Sequence, residues 1–236
     1  MTDENTTVKE VEASDAPEST EAPKTSDEIK LSGIYAFKEG MSSIYSEDGR
    51  NIPVTVLRYQ PWIVSQIKTD ETDGYSALQI ASGPKKSVRS TSAEIGHLKG
   101  AGFENGAYFK REVRQNIPEG AKVGLKVSIE SLEKGDKVTM TSKSKGHGFS
   151  GAMKRHGFAG GPATHGSGFH RRPGSIGNCE FPGRVMPGRK MPGHFGVETV
   201  TMRNVEIADV IPEENVVLIK GAVPGSKNSI IKLMKA

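Results

Sequence analysis

Cysteine is almost missing from this chain: Cys179 is the only one in 236 residues. No internal disulfide can close, and a reducing, intracellular setting is the expectation. Long apolar runs are also missing, since nothing approaches the roughly eighteen consecutive apolar residues that span a bilayer. The first residues are acidic and lack a positive stretch followed by an apolar one, so they resemble neither a secretory signal nor a transit peptide. A cytoplasmic protein without a membrane partner is expected. Acids are the third shortage. Between residues 143 and 196 only Glu180 is acidic, against Lys143, Lys145, Lys154, Arg155, Arg171, Arg172, Arg184, Arg189 and Lys190.

The overall charge of +4 hides this asymmetry. Through residue 28, nine acids face only Lys9 and Lys24, a net of −7, so the rest of the chain carries +11. A body that basic calls for an anionic partner, nucleic acid before membrane surface. Residues 1–30 are rich in Glu, Thr, Ser and Pro and have no aromatics. That composition cannot repay its ordering entropy, and it predicts a disordered acidic extension.

After residue 31 the chain reads as short antiparallel strands. Segments 34–38 and 42–46 precede the turn signal Glu47-Asp48-Gly49-Arg50, and 52–59 alternates through Ile52, Val54 and Val56. Segments 63–69, 76–81, 108–114, 125–132 and 138–141 continue the series, as do 199–202, 205–210 and 216–221 after the basic stretch. In 125–132, Leu125, Val127 and Ile129 are expected inward, and Lys126, Ser128 and Glu130 outward. Between them lie a basic loop, Gly83-Pro84-Lys85-Lys86-Ser87-Val88-Arg89, and a short helix. Thr91 and Glu94 have capping-box spacing at its start, and Gly100 or Gly102 ends it. Strands every 8–12 residues suggest a small barrel or sandwich.

The interval 143–196 does not fit that pattern. Glycine or proline recurs every few residues, so no period of 2 or 3.6 survives, and neither helix nor half-buried strand is expected. An irregular stretch this long inside a domain implies a functional loop ordered by something outside the chain. Gly146-His147-Gly148-Phe149-Ser150-Gly151 matches G-x-G-x-x-G, but no long helix and no later acid complete a dinucleotide site. His147, His156, His165, His170 and His194 crowd together without the rigid frame and the acids or cysteines of a metal site, so no metal or cofactor is expected. G-x-S-x-G does not occur, and scarce carboxylates leave the histidines without an orienting acid, so no catalytic residue is expected. Phosphate binding fits better. Cations supply charge, glycines admit close backbone approach, and Phe149, Phe158, Phe169, Phe181 and Phe195 offer stacking or wedge groups. On composition alone, a generic glycine- and arginine-rich linker is the bland alternative.

Four segments carry a resemblance to a known family: TSKSKGHGFSGAMKRHGF, ATHGSGFHRRPGSIG, PGRVMPGRKMPGHFG and VVLIKGAVPG. With the opening GIYAFKEGMSSIYSEDG, they resemble, in order and over residues 33–236, the bacterial form of the large-subunit ribosomal protein three family. The resemblance implies a mainly β fold, a small antiparallel barrel of the translation-protein type interrupted by a long irregular basic finger. Its domains would be the extension 1–30, a body formed by 31–142 and 197–236, and a finger over 143–196. It implies no enzyme and no small-molecule substrate, but direct binding of large-subunit rRNA and early assembly. It also implies a finger tip near 173–184 directed toward the peptidyl transferase centre, and contacts with large-subunit proteins fourteen and nineteen. The residues expected on rRNA are Lys143, Lys145, Lys154, Arg155, His156, His165, His170, Arg171, Arg172, Arg184, Arg189 and Lys190. Many bacterial members carry an N5-methylated glutamine three residues before the glycine of P-G-[KR]-V, and that position is Glu180 here. A free-standing basic RNA-binding or RNA-chaperone module is the alternative.

Overall fold

Apolar residues alternating with polar ones at a period of two send the segments of the body into strands, with turns wherever Gly, Pro, Asn or Asp cluster. In a computed structural model that describes residues 28–235, the strands are β1 (Glu28–Ile29), β2 (Gly33–Tyr45), β3 (Asn51–Tyr59), β4 (Ile63–Lys68), β5 (Ala77–Pro84), β6 (Ala107–Val113), β7 (Lys126–Val127), β8 (Lys137–Lys143), β9 (Phe149–Ser150), β10 (Gly193–His194), β11 (Thr199–Ile211), β12 (Val216–Lys220) and β13 (Ile230–Lys235). The helices are α1 (Asp70–Asp73), α2 (Ser92–Leu98) and α3 (Ala152–His156). The acidic extension expected over 1–30 lies outside the described residues up to residue 27. Glu28 and Ile29 are already in a strand, paired in parallel with Lys126 and Val127.

Six strands close a barrel in the order β11-β12-β3-β2-β13-β8, antiparallel throughout. Each contributes a fully buried side chain: Ile207, Ile219, Leu57, Ile34, Leu233 and Met140. Removing each from water is worth about 1.5–3 kcal/mol, which is why a chain of modest apolar content holds this shape. Segments 34–38 and 42–46 are one strand, β2, with an irregularity between Lys38 and Gly40. Segments 199–202 and 205–210 likewise join in β11, with a shift between Met202 and Val205. A bulge takes up extra residues without ending a strand, so a break in alternation does not mean a turn. The sequence reading assigns nothing to β13, yet β13 closes the barrel between β2 and β8.

The strands from 63 to 113 do not join the barrel. Together with β1 and β7 they form a second sheet, β1-β7-β4-β5-β6, laid against it. Trp62 joins the two layers: it is fully buried, donates Nε1–H to the Tyr35 carbonyl at 2.7 Å and stacks on Phe37 with ring centroids 6.4 Å apart. One continuous core holds Trp62, Leu78 and Ile80 together with Ile34 and Leu233. A smaller cluster of Leu98, Ala101 and Phe103 sits under α2.

Two local expectations are corrected. The strand expected over 125–132 ends at Val127, because Ser128 is buried and its hydroxyl accepts the Glu130 N–H at 3.4 Å, starting a 3₁₀ turn at Ile129–Ser131. At α2, Thr91 accepts the Glu94 N–H at 3.3 Å as the capping spacing demands. The Glu94 carboxylate completes no capping box; it binds Lys85 and Lys110 instead.

Candidate nucleic-acid interface

The basic stretch leaves the barrel between neighbouring strands. Lys143, the last residue of β8, is paired with Thr199, the first of β11. The ladder runs on past the barrel rim: Ser144 N–H donates to Glu198 at 2.8 Å, His147 N–H to Phe195 at 2.9 Å, and Phe195 N–H to Gly148 at 2.9 Å. The rings of His147 and Phe195 stack across it at 4.9 Å. β9 and β10 then pair, Phe149 with His194 and Ser150 with Gly193. The single turn α3 follows, anchored by the buried Ala152 and closed by the Gly157 N–H on the Met153 carbonyl at 2.9 Å. The expectation of neither helix nor strand in 143–196 is therefore corrected at the root. Two facing limbs satisfy one another's backbone groups there, although neither has a periodic apolar face.

Beyond α3, residues 157–192 contain no regular element. Of the twelve residues expected on RNA, Lys143, Lys145, Lys154, His165, His170, Arg171, Arg172, Arg184, Arg189 and Lys190 are exposed. Arg155 and His156 are half-buried and turn inward, both donating to the Met191 carbonyl, at 2.9 and 3.0 Å. They clasp the outgoing limb to the returning one, a role that no sequence signal marked because the acceptor is a backbone carbonyl. Arg189 is steadied by Ser175, whose carbonyl accepts from Nη2 at 3.1 Å. An open groove of about 310 Å³ lies between Phe158, Pro173, Ile176, Arg189 and Lys190. Glu180 is exposed beside Phe181, which is 89% exposed.

Electrostatics set this stretch apart. Every ion pair among the described residues lies outside it, as in Lys68 with Glu112, Lys220 with Glu206 and Lys235 with Asp136. The nine cations of 143–196 have no carboxylate partner among the described residues. At the root, burial first and the charge of Lys145 second hold the Lys38 ammonium below the usual lysine range, while the Val223 and Gly225 carbonyls accept from it at 2.6 and 3.1 Å. Among the described residues no three His, Cys, Asp or Glu side chains converge as a metal site would require. The G-x-G-x-x-G spacing of Gly146–Gly151 falls on the root ladder and β9, and the helix behind it has only five residues. Cations without counterions, apolar rings exposed among them and no converging acid–base set make a surface suited to a polyanion.

Comparison with known proteins agrees with that chemistry. A family described as Ribosomal protein L3 matches residues 121–214, an interval that contains the entire basic excursion and both of its roots. The chain is similar to the large ribosomal subunit protein uL3 of Bdellovibrio bacteriovorus, 62% identical over 218 residues, covering 92% of this chain and 99% of that protein. The protein of the same name from Desulforapulum autotrophicum is 44% identical over 204 residues, 86% of this chain and 98% of its own. That of Vibrio campbellii is 48% identical over 203 residues, 85% of this chain and 97% of its own.

Proposed function

The chain belongs to the ribosomal protein L3 family, and from that membership we propose that it is a structural constituent of the large ribosomal subunit that binds large-subunit rRNA through the finger 143–196. It acts in the cytoplasmic ribosome and is not an enzyme. The observation that carries the RNA reading is the set of nine finger cations with no carboxylate partner among the described residues. Lys143 and Lys145 at the root, Lys154 on α3, and Arg171, Arg172, Arg184, Arg189 and Lys190 beyond it engage phosphates, while exposed His165 and His170 donate to phosphates or stack on bases. Arg155 and His156 serve the same end by holding the limbs together.

The finer reading follows the family. The tip near 173–184 is directed toward the peptidyl transferase centre, the protein joins the subunit early, and large-subunit proteins fourteen and nineteen are its neighbours. Glu180 stands where many bacterial members carry a methylated glutamine, and a glutamate has no side-chain amide nitrogen to methylate.

Filter binding of the full chain to large-subunit rRNA, titrated with salt, tests the reading. Six to ten phosphate contacts lose about 10³–10⁵ in affinity between 50 and 200 mM salt. A flat response would remove the phosphate-binding role. Co-sedimentation decides the setting: a subunit component stays with large subunits through a high-salt wash, whereas a free-standing RNA chaperone is released.

A further inference from the structure

The finger is not the only place where cations stand without counterions. The turn between β5 and α2 carries Lys85, Lys86 and Arg89, and the structure gives them different work. Lys85 Nζ lies 3.0 Å from both oxygens of the Glu94 carboxylate, which also takes Lys110 at 2.9 Å, so Lys85 anchors the turn to α2. The single Ser90 hydroxyl proton is shared between the carbonyls of Lys86 and Asn105, and Lys85 N–H donates to the Gly106 carbonyl at 3.1 Å. The backbone of the turn is thus held at several points. On this frame Lys86 and Arg89 are exposed and have no carboxylate partner among the described residues. Between them Val88 is 96% exposed, an apolar side chain presented to solvent by a rigid turn.

The turn also faces the same way as the finger. Tyr35 Oη donates to the Glu112 carbonyl, and two residues on, the Phe37 ring packs on Phe109 at 5.1 Å. So β2, running from Tyr35 to Phe37, and β6, running back from Glu112 to Phe109, advance together. Phe37 is paired with Ile230, whose carbonyl accepts from Ser142 Oγ at 3.0 Å, immediately before the finger root. On the other side Phe109 is paired with Ser82, from which β5 runs on through Pro84 into the turn. The turn and the finger therefore leave the body toward the same side.

We propose that Lys86 and Arg89 form a second phosphate contact, made by the body, on the same RNA that receives the finger, with Val88 seated against a ribose or base face between them. A rigid turn needs no ordering on binding, so this contact sets the orientation of the barrel on the RNA while the finger takes its shape there. The inference rests on the RNA-binding reading, and the experiment separates the two.

Full-length protein, Lys86→Ala/Arg89→Ala and Arg171→Ala/Arg172→Ala are each bound to large-subunit rRNA, and salt dependence and hydroxyl-radical footprints are recorded. Two lost phosphate contacts make the slope of log K against log salt shallower by about 1.4–1.8 for Lys86→Ala/Arg89→Ala. One block of protected nucleotides disappears, distinct from the block lost with Arg171→Ala/Arg172→Ala. If the turn variant keeps the wild-type slope and footprint while the finger variant loses its own, the second contact is refuted and the finger reading stands. If neither variant changes either readout, both fall. Lys86→Gln/Arg89→Gln, which removes the charge but keeps a polar side chain longer than alanine's, replaces the alanine variant should circular dichroism show that variant misfolded, and it carries the same expectations.

Discussion

The Arg155 guanidinium donates to the Met191 carbonyl at 2.9 Å, and this bond, with the one from His156, holds α3 to the returning limb just beyond the β9–β10 pair. The fit is close: a Cβ on Gly193 would lie 2.5 Å from Arg155 Nη1. A hydrogen bond from a charged donor is worth about 1.5–3 kcal/mol, less where solvent reaches it. Arg155→Ala is therefore expected to speed tryptic cleavage at Arg189 and Lys190 in the free protein and to leave the barrel's melting temperature within a degree or two. Equal cleavage rates for Arg155→Ala and wild type would show that the clasp does not order the limbs. Added rRNA should protect both proteins.

Gly196 lies at the root in the left-handed region, φ 82°, and a Cβ there would fall 2.1 Å from the Lys145 carbonyl oxygen. Gly148 is also left-handed, φ 63°, but has open space around its Cβ position. Gly148→Ala should cost about 1–2 kcal/mol, the left-handed penalty alone. Gly196→Ala must also separate the two limbs, so its loss in stability and rRNA affinity should clearly exceed that of Gly148→Ala. Parallel denaturant titrations and binding curves compare the two, and similar values would mean that the limbs are not held at this distance.

Trp62 is the only tryptophan and lies between the barrel and the second sheet. Trp62→Ala should cost about 3–5 kcal/mol from lost packing and the cavity it leaves. Trp62→Phe keeps the stack on Phe37 but leaves the Tyr35 carbonyl without its donor, a loss of about 1–3 kcal/mol. In the wild type, tryptophan fluorescence and circular dichroism should report one shared transition, because both layers use one core. Two separate transitions would contradict that.

Acid sensitivity should centre on Glu94. Hydrogen bonds from Lys110 and then Lys85 hold its carboxyl at about 2, below the ordinary 4.5. A carboxylate whose pKa is depressed by folding contributes stability that is fully present above the unfolded value and is lost as pH falls through the folded one. The contribution should thus persist above 4.5 and fade toward about 2. Asp136 is depressed by Lys235 in the same direction, and Glu112 by Lys68. Melting temperatures of wild type and Glu94→Gln should converge as pH falls through that window, and a constant gap between them would remove Glu94 as a source of acid sensitivity.

Much of the barrel is legible segment by segment. β3 and the turn at Glu47–Arg50 that separates it from β2 fall where expected, but the alternation of Ile52, Val54 and Val56 does not name the core face, which Leu57 and Tyr59 supply while Ile52 and Val56 stay half-buried. Legibility fails where a local signal depends on distant partners. Ser128 reads as an outward strand residue, but its hydroxyl caps a turn and is buried. Ile230 to Lys235, IIKLMK, has no clean alternation to mark it, and it becomes a strand because β2 and β8 offer it two edges. Arg155 and His156 look like any other cation and imidazole in the finger until the returning limb brings Met191 beside them.

Composition and order along the chain determined the class of this protein: alternating apolar residues make strands, and a glycine-loosened run of cations with one acid can neither bury itself nor neutralise itself. Those properties belong to each segment separately and survive any arrangement of the rest. Which strands share a barrel, which lie over it, and which cations are spent holding the protein together rather than left exposed were settled only by tertiary structure. Such choices depend on hydrogen-bond partners and carboxylates supplied from far away in sequence, whose positions no local pattern encodes.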